Sequence, residues 1–192
     1  MAVENWHVGW FFCKLLGIPF TTGLLLGVGE SEADRLAALE LLAQMQRRWG
    51  HLQEVILQPF RPDATSALLL KATEQVDLLG TIAAARTILP PEVHLQLPPN
   101  LWPLQELPAA LAAGIDDLGG IDSSDVINRA YPQPTPSQLA EVLAQAGYEL
   151  TRRLCVHQSW RRCLPLAMRR QALRAESRLL ASKSSGLRSP WP

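Results

Sequence analysis

The stretch IPFTTGLLLGVGE, residues 18–30, decides how this chain is read. Residues 18–26 form a β-rich apolar run closed by Gly27 and Gly29, which predicts a buried strand entering a glycine turn. Ser31 then caps a helix, with Glu32 and Asp34 in its first turn, where the positive end of the helix dipole favours acids. Leu36, Leu39, Leu42 and Met45 recur at helical spacing, Arg47 and Arg48 fall in the last turn, and Gly50 ends it. Outward from this unit the pattern repeats. EVILQ (54–58) reads as a second strand ended by Pro59, followed by a loop FRPDATS and a helix over 73–88 with Val76, Leu79, Ile82, Ala83 and Ile88 on one side. VHLQL (93–97) is a third strand, 104–113 a short helix stopped by Gly114, and IDDLGGI (115–121) a fourth strand with its glycine turn. Residues 134–150 form a further helix, with Pro136 at its start and Gly147 at its end. Alternating strands and helices on short links predict an α/β fold of parallel (βα) units. Four strands are half of an eight-stranded (βα) barrel, and the loops after the strands are the natural place for a site.

Composition narrows the class. Of the 192 residues 47% are apolar, which excludes a mostly disordered chain. No uninterrupted apolar run is long enough to span a bilayer, so no membrane association is expected. The N-terminus lacks the early basic residues and cleavage site of a signal peptide, and the expected location is cytoplasmic. Cys13, Cys155 and Cys163 are too widely spaced to read as a zinc or iron–sulfur motif, and reduced thiols are expected. The net charge of zero hides an asymmetry: residues 1–150 carry 8 basic and 17 acidic side chains, and residues 151–192 carry 10 basic and 1 acidic. The basic tail, expected to be partly helical over 166–180, interleaves arginine with leucine and carries no nucleic-acid motif. It is therefore expected to pack on the acidic body rather than on nucleic acid.

The glycine turn excludes two ligand classes. A dinucleotide fingerprint needs glycine at position 32, which is Glu32, and a phosphate loop started at Gly23 needs glycine where Val28 stands. No basic residue lies near the turn, and Glu30 and Glu32 would repel phosphates. The spacing of Gly23, Leu25, Gly27 and Glu30 reads G-x-L-x-G-x-x-E and suits a neutral or cationic adenosyl group. Adenine is flat and mostly apolar and packs on a branched aliphatic side chain, glycines let backbone approach it, and Glu30 can fix the turn through backbone N–H groups. The pattern is similar to the G-x-I-x-G-x-x-E motif on the fifth strand of radical S-adenosylmethionine enzymes.

The neighbouring stretches make the resemblance specific. GIPFTTGLLLGVGE, GHLQEVILQPFRP, LPPNL and AGIDDLGGI, in this order, resemble the subunit 1 family of 7,8-didemethyl-8-hydroxy-5-deazariboflavin synthases, and TRRL and SPWP echo that family's C-terminal tail. The resemblance runs from about Gly17 to Trp191. It implies strands five to eight of a radical S-adenosylmethionine (βα)8 barrel over 17–150, after a divergent aromatic lead (1–16) and before a basic tail (151–192). It also implies S-adenosyl-L-methionine and a [4Fe–4S] cluster as cofactors, and a lyase reaction on 5-amino-5-(4-hydroxybenzyl)-6-(D-ribitylimino)-5,6-dihydrouracil. The CxxxCxxC loop that holds the cluster has no match here, so this stretch is expected to be inactive without a cluster-bearing N-terminal half. Synthase subunit 2 is a second implied partner. Pro59 stands where the family has Asn, and GGIDSSDVINRAYP departs from the family's last loop. The cofactor-binding candidates are Gly23, Leu25, Gly27 and Glu30; the substrate candidates are His94, Gln96, Asn100 and Asp116; Asp116 and Asp117 are candidate acid–base groups, one of which is as readily a cap or an arginine's partner. His51 is expected to cap the first helix. Two alternatives stand beside this reading: a non-catalytic binding or assembly module derived from the fold, and a radical S-adenosylmethionine fragment with another substrate.

Overall fold

The computed structural model describes residue 16 and residues 18–61, 77–121 and 131–184. The aromatic lead, the start of the helix expected from residue 73, and most of GGIDSSDVINRAYP lie outside the described residues. Four strands, β1 (Phe20–Leu26), β2 (Leu52–Pro59), β3 (His94–Leu97) and β4 (Asp117–Leu118), form one parallel sheet in the order β1-β2-β3-β4. Between and after them run α1 (Glu32–Trp49), α2 (Leu78–Ile88), α3 (Leu107–Ala113), α4 (Pro136–Gln145) and α5 (Leu166–Ser184). Parallel neighbours in sequence order, with α1 to α3 contributing to one core against the sheet, are consistent with half of a TIM-type barrel.

Local chemistry sets the element ends. The Ser31 hydroxyl accepts from the Asp34 N–H (3.2 Å), and the Asp34 carboxylate accepts from the Ser31 N–H (2.9 Å), a closed capping box. At the other end Gly50, at φ 66°, donates its N–H to the Gln46 carbonyl. That backbone cap closes the helix where His51 was expected to. His51 is buried at the entry to β2, with its ring 6.3 Å from that of Phe20. Thr135 and Gln138 repeat the capping box at α4.

The core lies between the sheet and the helices. Leu39, Leu42 and Met45 of α1, Val55 and Leu57 of β2, and Leu95 and Leu97 of β3 are all 4% exposed or less. The core stripe of α2 differs from the expected one. Thr81, Ile82 and Ala85 are buried, whereas Leu79 is 40% exposed and Ala83 faces solvent. The helix starts at an Asp77 N-cap, and its buried positions follow i, i+1 and i+4 from Thr81, which turns the apolar face away from Leu79. The fourth strand is shorter than expected, because Ile115 N–H still bonds to Ala110 of α3 and the glycine pair follows Leu118 at once. Pairing with β3 nevertheless extends one residue beyond each end, through Asp116 N–H to Leu95 O (3.1 Å) and Gly119 N–H to Leu97 O (3.3 Å).

Gly23 pairs with Ile56, and a Cβ at residue 23 would stand 2.6 Å from the Ile56 carbonyl oxygen. The missing side chain is thus required by the neighbouring strand. Gly23→Ala is expected to lower stability by about 1–3 kcal/mol by overpacking backbone against backbone, read as a lower urea midpoint at unchanged slope.

Candidate functional site

Alternation along the strands separates the two faces of the sheet. Leu24, Leu26, Val55, Leu57, Leu95 and Leu97 point into the helix-side core. The opposite face is built in rows by the strand register: Thr21, Glu54 and His94 in one; Gly23, Ile56, Gln96 and Asp117 in the next; Leu25 and Gln58 beyond them. This concave-side face carries polar groups at the strand starts and Leu25, 46% exposed, near the strand ends.

At the C-terminal end, β1 opens into the turn of residues 27–30. Gly27 and Gly29 have φ of 92° and 109°, which only glycine adopts without strain. The Glu30 carboxylate accepts from the N–H of Gly27 and of Val28, each at 2.8 Å, and pairs with Arg35 at 3.2 Å. Burial pushes this carboxyl up, but the backbone N–H groups and Arg35 outweigh it and hold it below its ordinary value. A Cβ on Gly29 would meet nothing within 4 Å, so open space lies over the turn. Leu25 and Gly29 together therefore offer an apolar side chain and an unobstructed backbone, which fit an adenosyl group; Gly23 also packs closely on Ile56 of the neighbouring strand. The loops after the other strands meet at this end. Arg61 Nε donates to Leu101 O (3.2 Å), Asn100 Nδ2 to Tyr131 O (3.3 Å), and Gln133 Nε2 to Gly120 O (2.7 Å). Gln96 is held lower on the face by Asp117 (3.0 Å) and fills the space over Gly119, where a Cβ would be 2.0 Å from its amide.

The N-terminal end is closed differently. His94 Nδ1 lies 2.9 Å from Asp116 Oδ2, so these two substrate candidates face each other on adjacent strands. They sit roughly 15–20 Å of strand away from the glycine turn, at about 3.3 Å per residue. Residues 151–161 cross this mouth as a strap. Arg153 donates to Glu54 Oε1 (2.6 Å), to Asp117 Oδ1 (2.9 Å), and in a further close contact to Asp117 Oδ2. His157 Nε2 lies 2.9 Å from Glu54 Oε1, and its N–H donates to Gln53 Oε1 (3.2 Å). The His94 and His157 rings stack at 3.6 Å with 6° between planes. Trp160, 2% exposed, donates to Glu92 O (3.4 Å) and pins the far end of the strap. Beyond it Arg161 pairs with Glu176 of α5.

Burial would raise the Asp117 carboxyl, but the Arg153 guanidinium, with Glu54 and Gln96 beside it, holds it below its ordinary value. Desolvation would lower Arg153, and the carboxylates raise it instead. Glu54, Asp117 and His157 each offer an atom within 4.8 Å of the others, a spacing that elsewhere holds a cation. Here the guanidinium of Arg153 lies among them and supplies the positive charge. Among the described cysteines, Cys155 is on the strap and Cys163 just after it, at the end opposite the turn, and they make no thiolate set for an iron–sulfur cluster.

The sequence reading missed Glu54, Arg153 and His157. An acid inside the otherwise apolar run EVILQ was the available signal for Glu54; nothing local marks Arg153, 99 residues away from it. Breaking a buried pair costs about 3–5 kcal/mol, less where solvent reaches it, and the Arg153 side chain is 29% exposed. Arg153→Met is therefore expected to cost about 1–3 kcal/mol. A carboxyl held low contributes stability above its unfolded value that is lost as pH falls through the folded value. Releasing Asp117 in this variant should thus move acid unfolding to higher pH, followed by circular dichroism.

No family model matches the chain. The chain is 47% identical over 143 residues to a 7,8-didemethyl-8-hydroxy-5-deazariboflavin synthase of Synechococcus elongatus, which covers 74% of this chain and 43% of that protein. Its counterpart in a Synechocystis species is 45% identical over 152 residues, covering 77% of this chain and 49% of that protein. An FO synthase of Mycobacterium leprae is 42% identical over 142 residues, covering 72% of this chain and 16% of that protein. The chain spans less than half the length of these relatives. Over the matched stretch it belongs to the deazariboflavin synthase family.

Proposed function

As a member of this family, we propose that the chain supplies strands five to eight, residues 17–150, of a radical S-adenosylmethionine (βα)8 barrel that forms the deazaflavin, with residues 151–192 as its basic tail. The observation that carries the reading is the turn of residues 27–30. Glu30 fixes two backbone N–H groups, Gly29 leaves open space, and Leu25 stands exposed on the same side of the sheet. S-adenosylmethionine, when bound with a reduced cluster, supplies a 5′-deoxyadenosyl radical. In this chain Leu25 and the backbone of residues 27–30 would hold its adenosyl group, and Glu30 keeps that backbone in place. Gln96 and Asn100 are the candidates to orient the ribityl-uracil substrate. His94 and Asp116 face the opposite mouth and bear on its closure.

The cysteines of this chain do not fit a [4Fe–4S] cluster, so no electron-transfer step is assigned to its residues. The cluster is held by the cluster-bearing half of the barrel, which pairs with the edge of β1 that no other described strand covers, and these residues are inactive without it. Synthase subunit 2 acts alongside the completed enzyme. Co-expression with a cluster-bearing N-terminal half from a cyanobacterial relative is expected to give 5′-deoxyadenosine from S-adenosylmethionine, and neither piece alone should. In that assembly Leu25→Asp is expected to raise the KM for S-adenosylmethionine at least tenfold, since a charge replaces the apolar wall against adenine. A correctly assembled, cluster-loaded pair that makes no 5′-deoxyadenosine would favour a non-catalytic binding module. Cleavage without deazaflavin formation would point to another substrate.

A further inference from the structure

No basic residue stands between Lys14 and Arg35 in the sequence, yet the fold brings Arg35 to the glycine turn. Arg35 is the fourth residue of α1, and helical side chains lean toward the N-terminus. Its Nη1 reaches back five residues and donates both to Glu30 Oε1 (3.2 Å) and to the Glu30 carbonyl (3.4 Å). The pair is largely shielded from water, with the Arg35 and Glu30 side chains 10% and 16% exposed. Both side-chain hydrogen bonds of Arg35 go to Glu30, and its Nε is buried without a hydrogen-bond partner. Arg153, by contrast, ties two strands to the strap. Arg35 therefore joins no distant elements and acts on one short segment.

The Glu30 carboxylate passes this restraint on, since it accepts from the N–H of Gly27 and of Val28. The contacts run from α1, fixed at its start by the Ser31–Asp34 capping box, through Arg35 and Glu30 to the backbone of the turn. The turn needs such a restraint. Gly27 and Gly29 stand at φ of 92° and 109°, and glycine has the most backbone freedom to lose on ordering. We propose that Arg35 is a positioning residue for the adenosyl site: it holds Glu30, and through it residues 27–30, in the conformation that receives the ligand. The inference rests on the adenosyl reading of this turn. Without the guanidinium, Glu30 is a mostly buried carboxylate with no counter-charge, which favours its departure toward water and frees the two N–H groups. A ligand must then order the turn as it binds, and that cost weakens binding. Because Arg35 acts through Glu30, the effect falls on KM rather than on kcat.

The test uses Arg35→Met, which keeps an aliphatic stem and removes the charge and the donors. In the full chain assembled with the cluster-bearing half, KM for S-adenosylmethionine is expected to rise about tenfold, with kcat within about twofold of native. Hydrogen exchange at the Gly27 and Val28 amides of the same assembly should quicken about tenfold, while α1 amides beyond Leu39 keep their native rates. Arg35→Lys retains the charge without the fork and should bring KM back to about threefold above native. If Arg35→Met does not fold, that threefold rise with faster exchange at Gly27 and Val28 is the expected result in Arg35→Lys alone. A native KM in the folded variants, or a loss of kcat with native exchange at the turn, would overturn the proposal. A native, cluster-loaded assembly that cleaves no S-adenosylmethionine, while Arg35→Met still quickens exchange at the turn, would overturn the adenosyl reading and leave Arg35 a brace for the turn alone.

Discussion

Arg153 bridges Glu54 of β2 and Asp117 of β4, reaching across β3 from a segment that follows the last barrel helix. The rest of the structure depends on that bracket because β4 is so short. Two residues and two flanking backbone bonds hold it to β3, and the loop beyond it begins with a glycine pair. A strand held so lightly keeps its register only if a side chain fixes it, and the Asp117 carboxylate, bonded to Arg153 and Gln96, does so. The same bracket supplies the guanidinium charge beside Glu54, an acid 5% exposed that His157 and Thr21 also contact. It also ties the basic tail to the acidic body at its first turn, which is where the opposite charges of the two parts of the sequence meet.

The two ends of the sheet have different work. Polar and charged groups crowd the strand starts, where they bond to one another and to the strap. The strand ends carry the glycine turn, an exposed leucine and loops knitted by backbone and amide contacts. In (βα) barrels the face at the strand ends is where chemistry is done and the other face is where stability is built. The residues follow that division here: at the turn Glu30 is bonded to its own backbone and leaves Leu25 and Gly29 open, whereas at the other mouth the charged groups named are engaged within the chain.

Much of this was legible in the sequence. Glycine, proline and capping residues marked strand and helix order, since these signals act within a few residues: Ser31 and Gly50 bound α1, and Pro136 starts α4. The fixing of the turn by Glu30 follows from spacing alone. The helical phase of α2 was not legible, because an apolar run rich in alanine and leucine offers more than one stripe and the Asp77 cap chooses among them. Nor was the strap, whose contacts join residues about a hundred positions apart. Asp116 and Asp117 could each be read as an acid–base group or one of them as a cap or an arginine's partner, and only the three-dimensional position of Arg153 picks out Asp117 for the pairing. Gly23 reads in the sequence as a glycine that lets a ligand approach; the structure adds that the Ile56 carbonyl leaves no room for a side chain there.

The central claim is that the turn of residues 27–30, with Leu25, is the adenosyl wall of a barrel completed by a cluster-bearing half. Photolabelling of the assembled enzyme with an azido-adenosyl analogue of S-adenosylmethionine, followed by peptide mapping, tests it most directly. Label confined on this chain to residues 20–35 and competed away by S-adenosylmethionine is the predicted result. Label on the strap, residues 151–161, or none on this chain in an assembly that cleaves S-adenosylmethionine, would contradict it.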